Sequence, residues 1–512
     1  MKYTLKILFL AFTIALHSCR GTKSTSKEIV NNVNFEVNLL DRYNDTYKVT
    51  VTPPTLTEAN SIYQFASTAP GTYQVMDIGR YVKAFKALDK NGKELETTQI
   101  STNQFQLTNP ENISKIEYEI SETWDTPVTE NKIYLMCGTS IEKDHALING
   151  QAVFGYFKEK QGNPITIKLD FPETWIVGTP LKKNSDSLYY AEDYDKIVDS
   201  PILLGNLTKA SMNVQGTDVD IYTYSKTGLV TSSEVLESMK NMLLSASGFL
   251  HGLPVKHYTF LFHFEDSTNG AWEHSYSSEY IYKEDKWENL EQQVVEVAAH
   301  EFFHVVTPLN IHSEIVDQFN FITPVPSRHL WLYEGTTEWA SHMMLFRSGL
   351  KSTDDYFKTL SRKIMINSKY FDSKVSLEDL SLTSYTKEGN KQYGNIYMRG
   401  ALVAGLLDIK LLDLSNGKRG YIDVINDLAK EYGPNTPFDD ATFFKTFVKK
   451  TYPEIEAFID NYIVHANALP IKEYYNKIGV DYNPVTNTFS LNASPSAEQL
   501  KLRTKWMAPI TL

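Results

Sequence analysis

Cysteine is scarce. The 512 residues hold only two, Cys19 and Cys137, so one disulfide at most is possible. Lipidation of Cys19, expected from the N-terminal pattern, removes even that. Cys137 is then expected as a buried structural thiol, since nothing near it supports a nucleophile. Positive charge is also short: 50 Lys and Arg against 62 Asp and Glu give a net charge of −12. That is the wrong sign for a nucleic-acid binder, which needs a basic footprint. The chain has no internal repeat and no low-complexity block, and beyond its first residues no apolar run reaches membrane-spanning length. What remains is an ordinary globular composition, 42% hydrophobic and 22% charged, on a chain long enough for roughly two or three domains.

The N-terminus carries an export signature. Lys2 and Lys6 give a positive start, and residues 7–16, ILFLAFTIAL, form a short apolar run. It is too short to span a bilayer comfortably but suits the core of a signal peptide. Leu16-His17-Ser18-Cys19 follows and resembles a bacterial lipobox, with His17 an unusual occupant. We therefore expect a signal peptide over 1–18, lipidation of Cys19, a polar lipid-anchored tether over 19–28, and an exported body in the periplasm or on the outer membrane of a bacterium. Ordinary secretion, with Cys19 incidental, is the competing reading.

Two regions differ in periodicity. From about 29 to 225 the pattern has period two: Tyr47, Val49 and Val51 alternate with polar neighbours, as do Ile116, Tyr118 and Ile120, and Ile165, Ile167 and Leu169. Half-buried strands read this way, and the region is expected as an N-terminal β-sandwich. Near 232 the spacing becomes helical, with Val235, Met239, Met242, Leu243 and Ala246 on one face, Ser233 as a candidate cap, and Gly252 and Pro254 at the end. A strand is expected over 257–264, and the chain is mostly helical from about 290 to 465. The catalytic domain is placed at 226–470. The Asn-, Ser- and Pro-rich 471–512 is expected as an irregular tail.

One motif carries chemistry. HEFFH lies inside QQVVEVAAHEFFHVV, residues 292–306, which has an apolar face of Val295, Ala298, Ala299, Phe302 and Val306 and a stop at Thr307-Pro308. Residues four apart share a helix face, so His300 and His304 can offer two imidazoles to one metal ion, with Glu301 beside them to handle the attacking water. Zinc suits two His and a carboxylate with a fourth position left open, and it acidifies water and polarises a carbonyl. Alone, HExxH arises by chance in on the order of a few per cent of chains this long. The apolar surroundings argue against chance, because two imidazoles and a carboxylate are costly to bury without a partner. The third ligand must lie elsewhere. LWLYEGTTEWASHMMLF, residues 330–346, offers Glu334 and Glu338, and either could ligate. His274, His312, His329 and His342 are read mainly as hydrogen-bonded structural residues.

HEFFH followed by LWLYEGTTEW resembles the glycyl aminopeptidase family of gluzincin metallopeptidases. NGAWEH at 269–274 resembles the family's Gly-Gly-Leu-Glu-His segment, APGTYQVMDIGRYV at 69–82 its Pro-Gly-x-Tyr stretch, and YMRGALVAGLLDIKLLDLSNGKRG at 397–420 the helix after the site. The likeness runs over roughly residues 40 to 480. It implies an α+β multidomain fold, with a thermolysin-like, mainly helical zinc-peptidase domain behind the β domain. It selects Glu334 as third ligand beside His300 and His304, with one Zn2+ per chain, and leaves Glu338 a supporting role. It implies that Glu273 holds the substrate's α-amino group and that Tyr397 donates to the developing oxyanion, with Tyr393 the alternative. Departures limit it. VVTPLNIHSEIV replaces the usual Trp-Asn and basic stretch after the motif, so glycine preference does not carry over. Gly270-Ala271-Trp272 replaces Gly-Gly-Leu, and 471–512 is too short for the PDZ domain that many relatives carry.

The reading is a zinc aminopeptidase acting on peptides in the cell envelope, with no nucleic-acid partner and membrane contact through the N-terminal lipid. Competing readings are a zinc endopeptidase of the same fold and a non-catalytic envelope lipoprotein. The second is disfavoured by the intact set of His300, Glu301, His304 and Glu334.

Overall fold

A computed structural model of the chain describes residues 31–510 except 43, 185–187 and 267–269. The expected signal peptide, Cys19 and the tether lie outside the described residues. Among those described, no helix is long and apolar enough to cross a membrane.

Alternation builds the first half. In Thr46–Thr52, the side chains of Tyr47, Val49 and Val51 are buried, while Lys48 and Thr50 are only partly covered. The strand lies between Val33–Asn38 and Ile113–Ser121, with Val49 opposite Val37 on one side and Tyr118 on the other. These strands belong to an eight-stranded sheet. Two four-stranded sheets, one containing Ile62–Gln64 and one containing His145–Ile148, complete the region. Their inner faces share a core that includes Phe35, Tyr47, Tyr63, Tyr118 and Phe157. Cys137 is a buried free thiol, and burial pushes its pKa well above the usual thiol range.

A five-stranded sheet begins the second half, in the order Thr208–Val214, Thr217–Ser225, His257–Glu265, Ser277–Lys283, Gly270–His274. Thr217–Ser225 runs parallel to His257–Glu265, and the connection between them is the helix Ser232–Phe249, as a parallel crossover requires. Residues 208–225 therefore pair with the catalytic half, and the domain edge expected at 225 cuts through this sheet. Period two reports that a strand is half-buried; it does not report which sheet the strand joins. The cap of the crossover helix is Thr231 rather than Ser233: its hydroxyl accepts from the Glu234 N–H, and Glu234 accepts from the Thr231 N–H.

The sheet has two faces with different partners. Phe260, Phe262 and Phe264 pack into the core formed with the helices. Leu261 packs with Leu147 and Leu203 of the N-terminal region. On the edge strand Gly270–His274 the same alternation sends Trp272 into the N-terminal core, leaving Glu273 on the side of the helices.

The HEFFH segment closes the helix Trp287–Phe303, with His304 as its C-cap, and Phe302 packs edge-on against Tyr258 with centroids 4.9 Å apart. A wider π-type turn, Trp331–Gly335, leads into the helix Thr336–Arg347. The long helix Asn395–Leu414 crosses this turn where Gly335 meets Gly400. A Cβ on either glycine would lie 2.8–2.9 Å from the other's Cα, so only two glycines permit the approach. Residues 471–510 are not irregular as expected. The helix Ile471–Lys477, the hairpin of Val480–Asn483 with Thr488–Leu491, and the helix Ala497–Trp506 add Tyr475, Phe489 and Trp506 to the catalytic core. The polar residues serve as caps and turns: Ser496 caps the last helix with Gln499.

Candidate metal centre and catalytic cleft

Three donors converge where the two helices and the π-type turn meet. His300 Nε2 and His304 Nε2 are 3.2 Å apart, and Glu334 Oε2 lies 3.4 Å from the first and 3.5 Å from the second. A triangle with these edges matches one face of a tetrahedron whose centre is about 2.0–2.1 Å from each corner, the distance at which zinc holds imidazole nitrogen. Glu334 Oε2 is buried and accepts no hydrogen bond from the protein. A buried carboxylate oxygen facing two ring nitrogens, without a proton donor, fits a cation among them.

The far side of each imidazole is fixed. His300 Nδ1 donates to Glu338 Oε2 at 2.7 Å, and His304 Nδ1 donates to the Thr307 carbonyl at 3.0 Å. Each bond places the ring proton on Nδ1 and the lone pair on Nε2, the tautomer a metal needs. Glu338 is held in turn by His342 Nε2 at 3.1 Å and by Lys363 Nζ. Burial would raise its pKa, but Lys363, His342 and His300 hold it well below the usual carboxylate range. Glu338 is therefore the orienting group and Glu334 the converging one.

Other predicted residues surround the same point. Glu301 is 7% exposed, and burial, with Glu334 and Glu338 nearby, pushes its carboxyl up to about 7 against the pull of His300. Carboxylate oxygens of Glu273 and Glu301 and a nitrogen of His304 all lie within 4.8 Å of one another. Burial, then Glu334 and Glu301, push the Glu273 carboxyl well above its ordinary range, so an arriving ammonium would relieve the crowding. Tyr397 stands 5.6 Å from the His300 ring. Burial and Glu334 raise its pKa, so the phenol keeps its proton. Tyr393, one turn earlier, brings its hydroxyl to 3.4 Å from that of Tyr397. Both tyrosines are thus at the site, with Tyr397 the nearer to the donors.

Sequence reasoning missed three supports. The first is the Glu338–His342–Lys363 network, of which the i, i+4 pair Glu338 and His342 was visible as helix spacing. The second is the Gly335–Gly400 contact, which sets Tyr397 beside Glu334. The third is a loop of the N-terminal region, residues 70–73. Gly71, at φ +75°, sits so close that a Cβ there would be 2.7 Å from Glu273 Oε1 and 2.8 Å from Trp272 Nε1. Tyr73 then packs on Tyr385 and Tyr393. A cavity of about 920 Å³ opens beside these groups, with Tyr73, Glu273, Leu309 and Tyr385 in its wall. A larger one, about 1170 Å³, lies against Asn395 and Arg399 and touches neither Glu273 nor the 70–73 loop, so the smaller, which is walled by both, is taken as the cleft.

Residues 34–206 match the Peptidase M61 N-terminal domain, and residues 293–403 match the M61 glycyl aminopeptidase. The second stretch contains His300, Glu301, His304, Glu334 and Tyr397. The chain belongs to the M61 glycyl aminopeptidase family. It is a zinc metallopeptidase of the aminopeptidase type, with peptides as substrate class. Glu273 lies between the matched stretches. No curated protein matches the chain. Among solved structures it is similar to an aminopeptidase N family protein from Idiomarina loihiensis, with 20% identity over 88% of this chain and 78% of that one and a TM-score of 0.77. It is also similar to an M1 zinc metallopeptidase from Deinococcus radiodurans, with 12% identity over 86% and 95% of the chains and a TM-score of 0.52. A mutant of that enzyme bound to a Tyr-Ser-Ala substrate gives 13% identity and a TM-score of 0.51 over the same shares. At these identities the likeness concerns the fold.

Proposed function

We propose that this member of the family removes N-terminal residues from peptides. In this reading His300, His304 and Glu334 hold one zinc ion, Glu301 is the general base and acid, Tyr397 stabilises the oxyanion, and Glu273 receives the substrate's α-ammonium. Bound there, zinc supplies Lewis acidity for the scissile carbonyl and the attacking water. The observation that carries the reading is the position of Glu273, a partly buried carboxylate within 4.8 Å of Glu301 and His304. A free amino terminus can neutralise it, whereas an uncharged peptide segment leaves a carboxylate without a partner.

The chain's own residues then divide the work. Glu273 fixes the amino end and so sets the first peptide bond beside Glu301. Glu301 takes a proton from the attacking water and returns it to the leaving amine. The Tyr397 phenol donates to the oxygen that gains charge as the carbonyl becomes tetrahedral. Glu338 and the Thr307 carbonyl keep both imidazoles in the required tautomer. The export signature, with Cys19 lipidated, supports placement at the cell envelope of a bacterium, anchored by lipid.

The test compares hydrolysis of a free peptide with its N-acetylated form. Strong preference for the free amine is expected, and Glu273→Gln should shrink that preference. Equal cleavage of both would make the protein an endopeptidase of the same chemistry.

A further inference from the structure

Away from the catalytic cleft, a second pair of imidazoles and a carboxylate converges. Ligand-capable atoms of His145, His263 and Glu265 all lie within 4.8 Å of one another. The three come from different halves of the molecule. His145 opens the strand His145–Ile148 of the N-terminal region. His263 and Glu265 are two apart on His257–Glu265 of the catalytic sheet, so they share a face, the one that also carries Leu261 against Leu147 and Leu203.

The nitrogens are unsatisfied. His263 is 1% exposed, and neither of its ring nitrogens bonds to any described protein group. His145 is equally buried, and its Nε2 is likewise unbonded. A neutral imidazole carries one N–H and one lone pair, and polar atoms so deeply buried are normally paired. Ring packing accounts for the faces only: Trp124 lies 4.9 Å from the His263 centroid, and Tyr224 lies 3.9 Å from that of His145. The other nitrogen of His145 is spoken for. Its Nδ1 donates to Asp144 Oδ1 at 3.1 Å, which puts the proton there and the lone pair on Nε2, the buried unbonded atom. Carboxylates orient metal-binding histidines in this way. Burial also pushes the pKa of both rings down, so both are neutral donors of lone pairs. Lys226, 3.6 Å from Glu265, opposes a cation, but it is 41% exposed and closer to Asp266, at 2.7 Å. It can turn to that partner when a metal takes Glu265.

We propose that His145, His263 and Glu265 form a second metal site, for a divalent ion of the zinc class, that clamps the N-terminal region to the catalytic sheet. The donor set of two imidazoles and one carboxylate selects zinc over calcium or magnesium, which prefer oxygen. The proposal rests on residues distinct from those of the catalytic centre and stands or falls apart from it.

The test uses the full chain carrying His300→Ala and Glu334→Ala, so that the catalytic donors are gone. The protein is stripped with chelator, titrated with Zn2+ by calorimetry, and its metal content is measured after gel filtration. One ion per chain is expected to remain, with a rise in Tm on adding Zn2+. Adding His263→Gln should abolish both. Asp144→Asn, at the surface, should weaken binding about 10–100-fold while leaving the core intact. Glu265→Gln gives an independent check if His263→Gln fails to fold. With the catalytic donors intact, two ions per chain are expected, and Asp144→Asn should lower zinc occupancy at subsaturating metal without loss of peptide hydrolysis. Absence of Zn2+ binding in the double variant overturns the proposal. So does binding that both Glu265→Gln and Asp144→Asn leave unchanged.

Discussion

Two groups of two histidines and a glutamate can be compared in this molecule, and they are built to different tolerances. In His300, His304 and Glu334 the donor atoms sit 3.2–3.5 Å apart, and the outer nitrogen of each ring is engaged by Glu338 or Thr307. In His145, His263 and Glu265 the atoms are gathered only within 4.8 Å, and a single outer contact, Asp144, orients one ring. A centre that must place a reacting bond needs its first ring of groups locked by a second. A cross-link between two sheets needs only donors close enough to close on an ion. The contrast fits chemistry at the first cluster and the proposed tethering at the second.

The largest expected effect is on chemistry alone. Glu301→Gln should cut peptide hydrolysis by about 10²–10⁴-fold while metal content, read by mass spectrometry, stays as in the wild type at both clusters. If the variant cleaves peptides as fast as the parent, Glu301 is not the base. Tyr397→Phe removes one oxyanion donor and should lower kcat by about 10²–10³-fold with little change in KM; steady-state kinetics decide, and a change confined to KM would reassign the residue to binding. Glu338→Gln keeps the shape but loosens His300. Chelator competition should show zinc affinity at the catalytic centre down by about 10–100-fold, with the Tm response of the other cluster unaltered. The smallest effect is on stability: Gly400→Ala pushes a methyl to within 2.9 Å of Gly335 Cα, an overpacking worth about 1–3 kcal/mol. It should appear as a lower Tm and a fall in kcat, because the same contact seats Tyr397 beside Glu334.

The first cluster was legible because two of its donors share one helix, and a spacing of four residues states that they share a face. Glu334 was not legible from spacing, since Glu338 lies on the same short segment; the family likeness chose between them, and in the structure Glu334 faces both Nε2 atoms while Glu338 meets His300 Nδ1. The second cluster has no signature, because His145 and His263 meet only after two sheets pack. The strand pattern was equally legible and equally incomplete. Thr208–Val214 and Thr217–Ser225 alternate like the strands before them, so their membership of the catalytic sheet could not be read. In residues 471–510 the abundance of Asn, Ser and Pro suggested irregularity, yet those residues sit at caps and turns while Tyr475, Phe489 and Trp506 do the packing.

The loop at residues 70–73 has a practical consequence. It lies in the region that begins the fold, yet it presses onto Glu273 and carries Tyr73 to the rim of the cleft. An enzyme trimmed to start at 207 would keep every donor of the catalytic centre and lose His145 and the part of the cleft wall that lies against Glu273. Substitutions of Tyr73 and its neighbours therefore reshape the cleft wall while leaving the helix that bears HEFFH untouched.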